Sequence, residues 1–470
     1  MMSNRYPRLT ISGLSGDSGK TVLSAGFLYL LAKRGLDVQG FKKGPDYIDS
    51  AWLSLASSKP ARNLDTYLMG SAAVIKSFVK NGSKEGINVI EGNRGLYDGA
   101  DSKGTHSTAE LAKLLNSPVI IIQNITKVTR TAAASILGCK NLDPNLIIAG
   151  VILNQAAGER HKNVAKEAIE DITGIPVIGT LPKLNEKFVL PSRHLGLITP
   201  AEFEKKSAIL NDLSNIIDDH LDINKIIKIA KSAGVIEFED KDRGIENFIS
   251  ENEKVQIGYF KDQTFTFYYP ENLEMLTAAG AELIPISSVD NKNVFNQINA
   301  LYIGGGFPET NLTNLSMNKE MINSIKLYAE KGLPIYAECG GLMYLSKDIV
   351  WHDDKYTLSG VLPIRVKMEE RPQGHGYCEA LVDNTNPYFE IGTAIKGHEF
   401  HYSKIYDHDS SLQSSLSLSR GVGCFDKRDG LIYKNVFASY MHTHALSTPE
   451  WISGFMKCAR AYQLNKESSM

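Results

Sequence analysis

Apolar positions in the first two hundred residues come in short continuous runs separated by helical patterns. Arg8–Ser12, Val38–Lys42, Ile87–Glu91, Pro118–Gln123 and Ile147–Asn154 read as buried strands, and Thr21–Arg34 as a helix closed by Gly35. Such alternation predicts βαβ units and a parallel sheet covered on both faces. Residues 201–230 are again helical in pattern. The charged stretch Glu237–Arg243 has one aromatic residue and little to bury, so 236–253 reads as a linker, with a solvated helix face as the bland alternative. A second series follows, with strands at Val255–Tyr259, Leu283–Ile286, Leu301–Ile303 and Pro334–Ala337 and a helix at Pro270–Ala279. The expected fold class is α/β, in two domains of unlike sequence over 1–235 and 254–470.

Composition narrows the function. A chain of 470 residues exceeds one ordinary core. Lys plus Arg number 51 against 53 Asp plus Glu, so no global field draws nucleic acid or an anionic membrane. The five cysteines are scattered without CxxC spacing, which argues against a disulfide framework or a zinc site. The N-terminus lacks a signal-peptide layout, and no apolar run approaches the roughly 18 residues of a membrane span. The expected setting is a reducing cytoplasm.

The first strand runs into Gly13-Leu14-Ser15-Gly16-Asp17-Ser18-Gly19-Lys20-Thr21 and then a helix, the context a phosphate loop requires. Gly13, Gly16, Ser18 and Gly19 let backbone N–H groups turn inward at a helix N-terminus. Lys20 would reach the terminal phosphates, and the Thr21 hydroxyl a Mg²⁺ ion. The first glycine sits one residue earlier than the usual spacing places it. Asp46, Asp49, Glu91 and Asp98 lie at or just beyond the ends of the next strands, where open α/β sheets bind ligands. Carboxylates beside phosphate need a bridging metal, for which Thr21, Asp46 and Glu91 are the candidate ligands. Alternatively, Asp46 and Asp49 cap a helix, and Asp98 forms a turn.

In the second half, Ile335–Leu345 reads as strand, sharp turn, helix, with Cys339 at the turn before Gly340 and Gly341. That arrangement exposes a nucleophile near backbone N–H groups that can hold an oxyanion, and the helix N-terminus should lower the thiol pKa. His442 or His444 would supply the base. The loop Gly304-Gly305-Gly306-Phe307-Pro308-Glu309 offers further N–H groups.

The order of these segments, with Lys43–Asp49, Arg62–Asp65, Glu91–Gly99, Gly397–Ser403 and Tyr440–Ala445, resembles the cobyrinate a,c-diamide synthases over essentially the whole chain. The resemblance implies an N-terminal nucleotide-binding domain similar to dethiobiotin synthetase and a C-terminal class I-type glutamine amidotransferase domain. It implies ATP and Mg²⁺, with L-glutamine as nitrogen donor and a tetrapyrrole as acceptor, and it admits a homodimer. Cys339 would attack glutamine, ATP would phosphorylate an acetate side chain, and ammonia crossing between domains would displace phosphate. His442 then aligns with the amidotransferase base, and His444 stands where a Glu is usual. His398 and His401 would help bind the macrocycle, along with Arg62, Arg94, Arg193 and His194 in a cleft between the domains.

Cobyrinate is the leading substrate, with hydrogenobyrinate close to it. The pair Asn93-Arg94, polar where many cobyrinate enzymes are apolar, keeps sirohydrochlorin and sirohaem as alternatives. A partitioning-type switch ATPase is a remoter rival, but it would carry a second lysine early in the phosphate loop and needs no cysteine turn. A nucleotide-aminating synthase would keep His-x-Glu near its C-terminus.

Overall fold

The computed structural model describes residues 5–184, 190, 192–193, 196–238, 254–290 and 294–468. The chain divides into two compact units, 1–240 and 241–470.

Among the described residues of the first unit, seven strands form one parallel sheet. They are β1 (Arg8–Gly13), β2 (Val38–Lys43), β3 (Arg62–Leu64), β4 (Ile87–Gly95), β5 (Val119–Asn124), β6 (Ile148–Ala156) and β7 (Val177–Pro182), ordered β3-β2-β4-β1-β5-β6-β7. β1 and β2 are buried at every position, as helices on both faces require. Helix α1 (Lys20–Lys33) packs on the helix Lys206–His220, and Gly26 allows the approach: a Cβ there would come 2.5 Å from Ile217 Cδ1. Helix α2 (Tyr47–Ser57) follows β2.

The helical stretch expected over 201–230 is two helices, Lys206–His220 and Ile223–Lys231. The chain breaks at Leu221, and Asp222 caps the second helix by accepting from Lys225 N at 2.9 Å. A short antiparallel pair, β8 (Ser192–Arg193) and β9 (Gly196–Leu197), precedes them. Of the segment read as a linker, 239–253 lies outside the described residues.

In the second unit, β10 (Val255–Phe260), β11 (Ala281–Ile286), β12 (Ala300–Ile303) and β13 (Ile335–Glu338) are parallel. There follow β14 (Asp348–Trp351), β15 (Asp354–Thr357), β16 (Ile364–Met368), β17 (Gly374–Val382), β18 (Ala394–His401), β19 (Ser403–His408), β20 (Gln413–Arg420), β21 (Arg428–Tyr433), β22 (Val436–Ser439) and β23 (His442–Thr443). The large sheet runs β11-β10-β12-β13-β22-β21-β20-β17-β18-β23, and β15-β14-β16-β19 make a smaller one.

Two features of this sheet position chemistry. β22 lies parallel beside β13, with Glu338 opposite Ser439. Only Tyr440 and Met441 separate β22 from β23, yet β23 pairs with β18 at the far end of the strand order, His442 opposite His398. The antiparallel half therefore wraps back, delivering β18 to the tip of β13. Among the described residues no helix is long and apolar enough to cross a membrane.

Candidate functional site

The first unit gathers charge at the C-terminal ends of β1, β2 and β4. Gly19 has φ +93, and a Cβ on it would come 2.8 Å from Asn154 Nδ2; on Gly13 it would strike Ser18 Oγ at 2.0 Å. Asn154 at β6 donates to Ser18 O at 3.0 Å and so holds the loop from outside. Gly16 has open space around its Cβ position. The loop curls round the buried Lys20, whose Nζ donates to Ser15 O at 2.8 Å and to Ser18 Oγ at 3.2 Å. Burial, and then the charge of Lys42, push this ammonium down, while Glu91, Asp49 and Asp17 pull the other way. A concave loop with inward donors and one ammonium suits a phosphate chain.

Beside it, Thr21 Oγ1 donates to Glu91 Oε1 at 2.7 Å. Lys42 Nζ donates to the same oxygen at 2.7 Å, to Asp49 Oδ2 at 2.6 Å and to Gly92 O at 3.1 Å. Burial would lower the Lys42 ammonium, but Asp49 and Glu91 override it and hold the group up. Burial pushes the Glu91 carboxyl up against the pull of Lys42. Its Oε2 is buried with no hydrogen-bond partner among the described residues. The Thr21 hydroxyl and this open carboxylate oxygen are hard donors of the kind magnesium takes. Asp46 is placed otherwise: its Oδ1 accepts from Asp49 N at 2.8 Å and caps α2. Asp49, rather than Asp46, shares Lys42 with Glu91. Asp98 is exposed, and its Oδ2 accepts from Gly95 N at 2.9 Å, which makes it a turn former.

Lys42 escaped the sequence reading. The signal was available: a lysine inside a strand expected to be buried must find a counter-charge, because a buried unpaired ammonium is prohibitively costly. Arg62 is buried in β3, opposite Phe41, and Arg94 is exposed at the end of β4 with φ +52. Arg193 falls in β8, and His194 lies outside the described residues.

The second unit places Cys339 between β13 and the helix Gly340–Leu345 at φ +47, ψ −99, a conformation most residues avoid. Its N–H donates to Ser439 O at 2.7 Å. Close packing explains the glycines around it. A Cβ on Gly341 would lie 2.4 Å from Ile303 O, one on Gly340 would lie 3.0 Å from Gly306 N, and one on Gly305 would lie 2.4 Å from His442 Cε1. Cysteine turn, glycine loop and His442 thus share one small volume.

The thiol does not behave as the helix N-terminus alone would dictate. Burial, and then the charge of Glu309, push it up; the Gly340 N–H opposes them, and Glu338 and Glu399 add to the rise. These surroundings favour the protonated thiol, so attack by the sulfur calls for a base.

His442 Nδ1 lies 3.4 Å from Glu338 Oε2, and its ring stacks on His398 at 4.9 Å between centroids. His444 turns elsewhere: its Nδ1 accepts from Leu446 N at 3.2 Å, its Nε2 faces Glu271 Oε2 at 3.8 Å, and its ring lies on Tyr269. His398 Nδ1 lies 3.3 Å from Tyr269 Oη, and burial, followed by His442 and His444, keeps His398 neutral. His401 donates from Nδ1 to Ser403 O at 2.7 Å, lies 3.5 Å from Glu399 and stacks on Tyr440. Both histidines expected at a macrocycle surface are buried within this unit, His398 against His442 itself.

The turn that delivers His442 is held by Asp429, another residue the sequence reading missed. Its carboxylate accepts from Ser439 Oγ at 2.8 Å, Tyr440 N at 3.1 Å and Met441 N at 3.2 Å.

A parallel-sheet unit with a phosphate loop, joined to a unit with a cysteine turn, glycine loop and histidine, defines a glutamine-dependent amide-forming ligase. Comparison with known proteins agrees. Residues 9–198 match the model of the CobQ/CobB/MinD/ParA nucleotide binding domain, and residues 256–450 that of the CobB/CobQ-like glutamine amidotransferase domain. The chain is 38% identical over 452 residues to the cobyrinate a,c-diamide synthase of Magnetococcus marinus, covering 96% of each. It is 38% identical to that of Archaeoglobus fulgidus, covering 96% of this chain and 97% of the relative. For Dehalococcoides mccartyi the identity is 39%, over 97% and 99%. The chain belongs to the cobyrinate a,c-diamide synthase family.

Proposed function

We propose that this protein converts the a and c acetate side chains of cobyrinate into carboxamides, using glutamine for nitrogen and ATP for activation. The observation that carries the reading is full-length similarity to enzymes of that name, with both reaction centres present in one chain.

The chemistry divides between the units. His442 Nε2 takes the Cys339 proton as sulfur attacks the glutamine amide carbon, and the Gly304–Gly306 loop and the Gly340 N–H receive the oxyanion. Collapse of that intermediate, with the proton passed to nitrogen, leaves a thioester and ammonia; water then releases glutamate. In the first unit a carboxylate oxygen of the substrate attacks the γ-phosphorus of ATP, giving an acyl phosphate and ADP. Ammonia adds at the acyl carbon and phosphate leaves. Lys20 and the loop N–H groups hold the phosphates in line for this transfer. Thr21 and Glu91 would hold a magnesium ion, which when bound neutralises charge on the phosphate oxygens. Arg94, exposed at the end of β4, suits a substrate carboxylate.

Purified protein with glutamine, Mg²⁺ and ATP should amidate cobyrinate when offered a panel that also holds hydrogenobyrinate, sirohydrochlorin with and without nickel, and sirohaem. Each amidation exchanges a hydroxyl for an amino group, so mono- and diamides resolve by product mass. Amidation confined to sirohydrochlorin or sirohaem would replace the substrate named here. Transfer to a nucleotide or small acid alone would remove the macrocycle altogether.

Base assignment has its own test. His442→Ala should cut glutaminase turnover by about 10²–10⁴-fold, the range for loss of a general base, and His444→Ala by clearly less. A larger loss at His444 would reverse the assignment.

A further inference from the structure

The position where His-x-Glu would place a carboxylate is held by His444, which engages Leu446 and Glu271. The base still needs a group to fix its tautomer and to stabilise its cation. We infer that Glu338, the residue immediately before the nucleophile, is the positioning carboxylate of His442. This deepens the reading of Cys339 and His442 as nucleophile and base, and rests on it.

Residues of β13 alternate between the two faces of the sheet. Ile335, Ala337 and then Cys339 belong to one core cluster, whereas Tyr336 belongs to the other, with Tyr302 and Trp451. Glu338, between Ala337 and Cys339, is on the Tyr336 side, fully buried, its carboxylate in contact with that aromatic layer. A carboxylate buried there is costly unless donors surround it. Tyr302 Oη donates to Oε2 at 3.2 Å, and Thr443 N donates to Oε1 at 3.1 Å. The second bond clamps the backbone next to His442 onto the carboxylate, and His442 Nδ1 then stands 3.4 Å from Oε2.

The other side of the ring is equally constrained. His398, kept neutral, stacks on it, and Gly305 lies against its Cε1. With Nδ1–H directed at Glu338, Nε2 is the ring nitrogen that carries the lone pair for the thiol proton. At 3.4 Å the contact is longer than a formed hydrogen bond. Catalytic hydrogen bonds commonly tighten only in the substrate complex. Here the contact becomes a charge pair when His442 takes the proton. One strand end therefore carries both the nucleophile and the support of its base.

The test uses the full chain and two readouts: glutaminase kcat and KM, and amide synthesis from ammonium salt. Glu338→Gln keeps shape and Thr443 N as a donor to its oxygen but removes charge. It should lower glutaminase kcat by about 10²-fold or more while glutamine KM changes little, the pattern of support lost in the transition state. Synthesis from ammonium should persist. Glutaminase turnover unaltered by Glu338→Gln would overturn the inference. So would a loss carried by KM rather than kcat, or an equal loss of ammonia-driven synthesis, either of which marks a structural role.

Should Glu338→Gln not fold, Glu338→Asp keeps the charge but retracts it. It should then reduce kcat with glutamine KM little changed, and full activity in that variant would equally sink the proposal. His442→Ala run in parallel separates the two levels: normal glutaminase there removes the base assignment itself, whereas collapse there with normal Glu338→Gln removes only this inference.

Discussion

Replacing Cys339 by alanine will abolish amide synthesis from glutamine while synthesis from added ammonium salt continues. On the proposed mechanism the sulfur is the atom that bonds the glutamine carbon, and alanine offers no nucleophile in its place. Removing the nucleophile from such a constellation typically costs about 10⁶-fold, so residual glutaminase should fall to background. Lys20, Thr21 and Glu91, the residues proposed to serve carboxylate activation, lie in a separate compact unit and would need only ammonia from solution. Product formed from each nitrogen source, measured side by side, checks this. Loss of both activities would mean that Cys339 supports the fold, or that the two units do not function separably.

Lys20→Ala is expected to have the opposite signature. The buried ammonium is held by Ser15 O and Ser18 Oγ, and no other residue donates a charge from within the loop curl. Lys42 cannot replace it, since its ammonium is committed to Asp49, Glu91 and Gly92. Removing one preorganised charge from a phosphate-transfer site costs on the order of 10²–10³-fold. ATP-dependent amidation should fall by at least that amount, with nucleotide affinity reduced in calorimetry and much of the glutaminase retained. Unchanged nucleotide affinity and synthase rate would remove the phosphate-loop reading.

The parallel sheets were legible where a strand holds an unbroken apolar run, as Val119–Ile122 of β5 does, and where turn signals bound a shorter one, as in β1 and β2. β3 was not, being three residues long with Arg62 and Asn63 in it. The long antiparallel strands after the cysteine turn were also missed. β17 is buried only in part, and its partners β18 and β20 are set by distant pairings that no local pattern encodes. The same division holds for the site. Lys20, Thr21 and Cys339 announce themselves through local turns and glycines. Lys42 and Glu338 do not, because each meets a partner far along the chain, Glu91 and Thr443, and Asp429 does not because it holds the Ser439–Met441 turn from a neighbouring strand. A charged residue inside a strand expected to be buried was the one clue to the first two.

The pairing of β13 with β22 also has a meaning for the order of synthesis. Glu338 and Thr443 are 105 positions apart, and until β22 emerges the strand ending at the nucleophile keeps a bare edge. By then the unit spanning 1–240 has been translated, and domains generally fold as they are made. On the proposed roles, Cys339 therefore meets His442 only after the nucleotide-binding unit has been made. A message broken between these two strands does not yield His442, the proposed base. It yields a polypeptide with an unpaired apolar strand, the kind of edge that drives aggregation and attracts clearance.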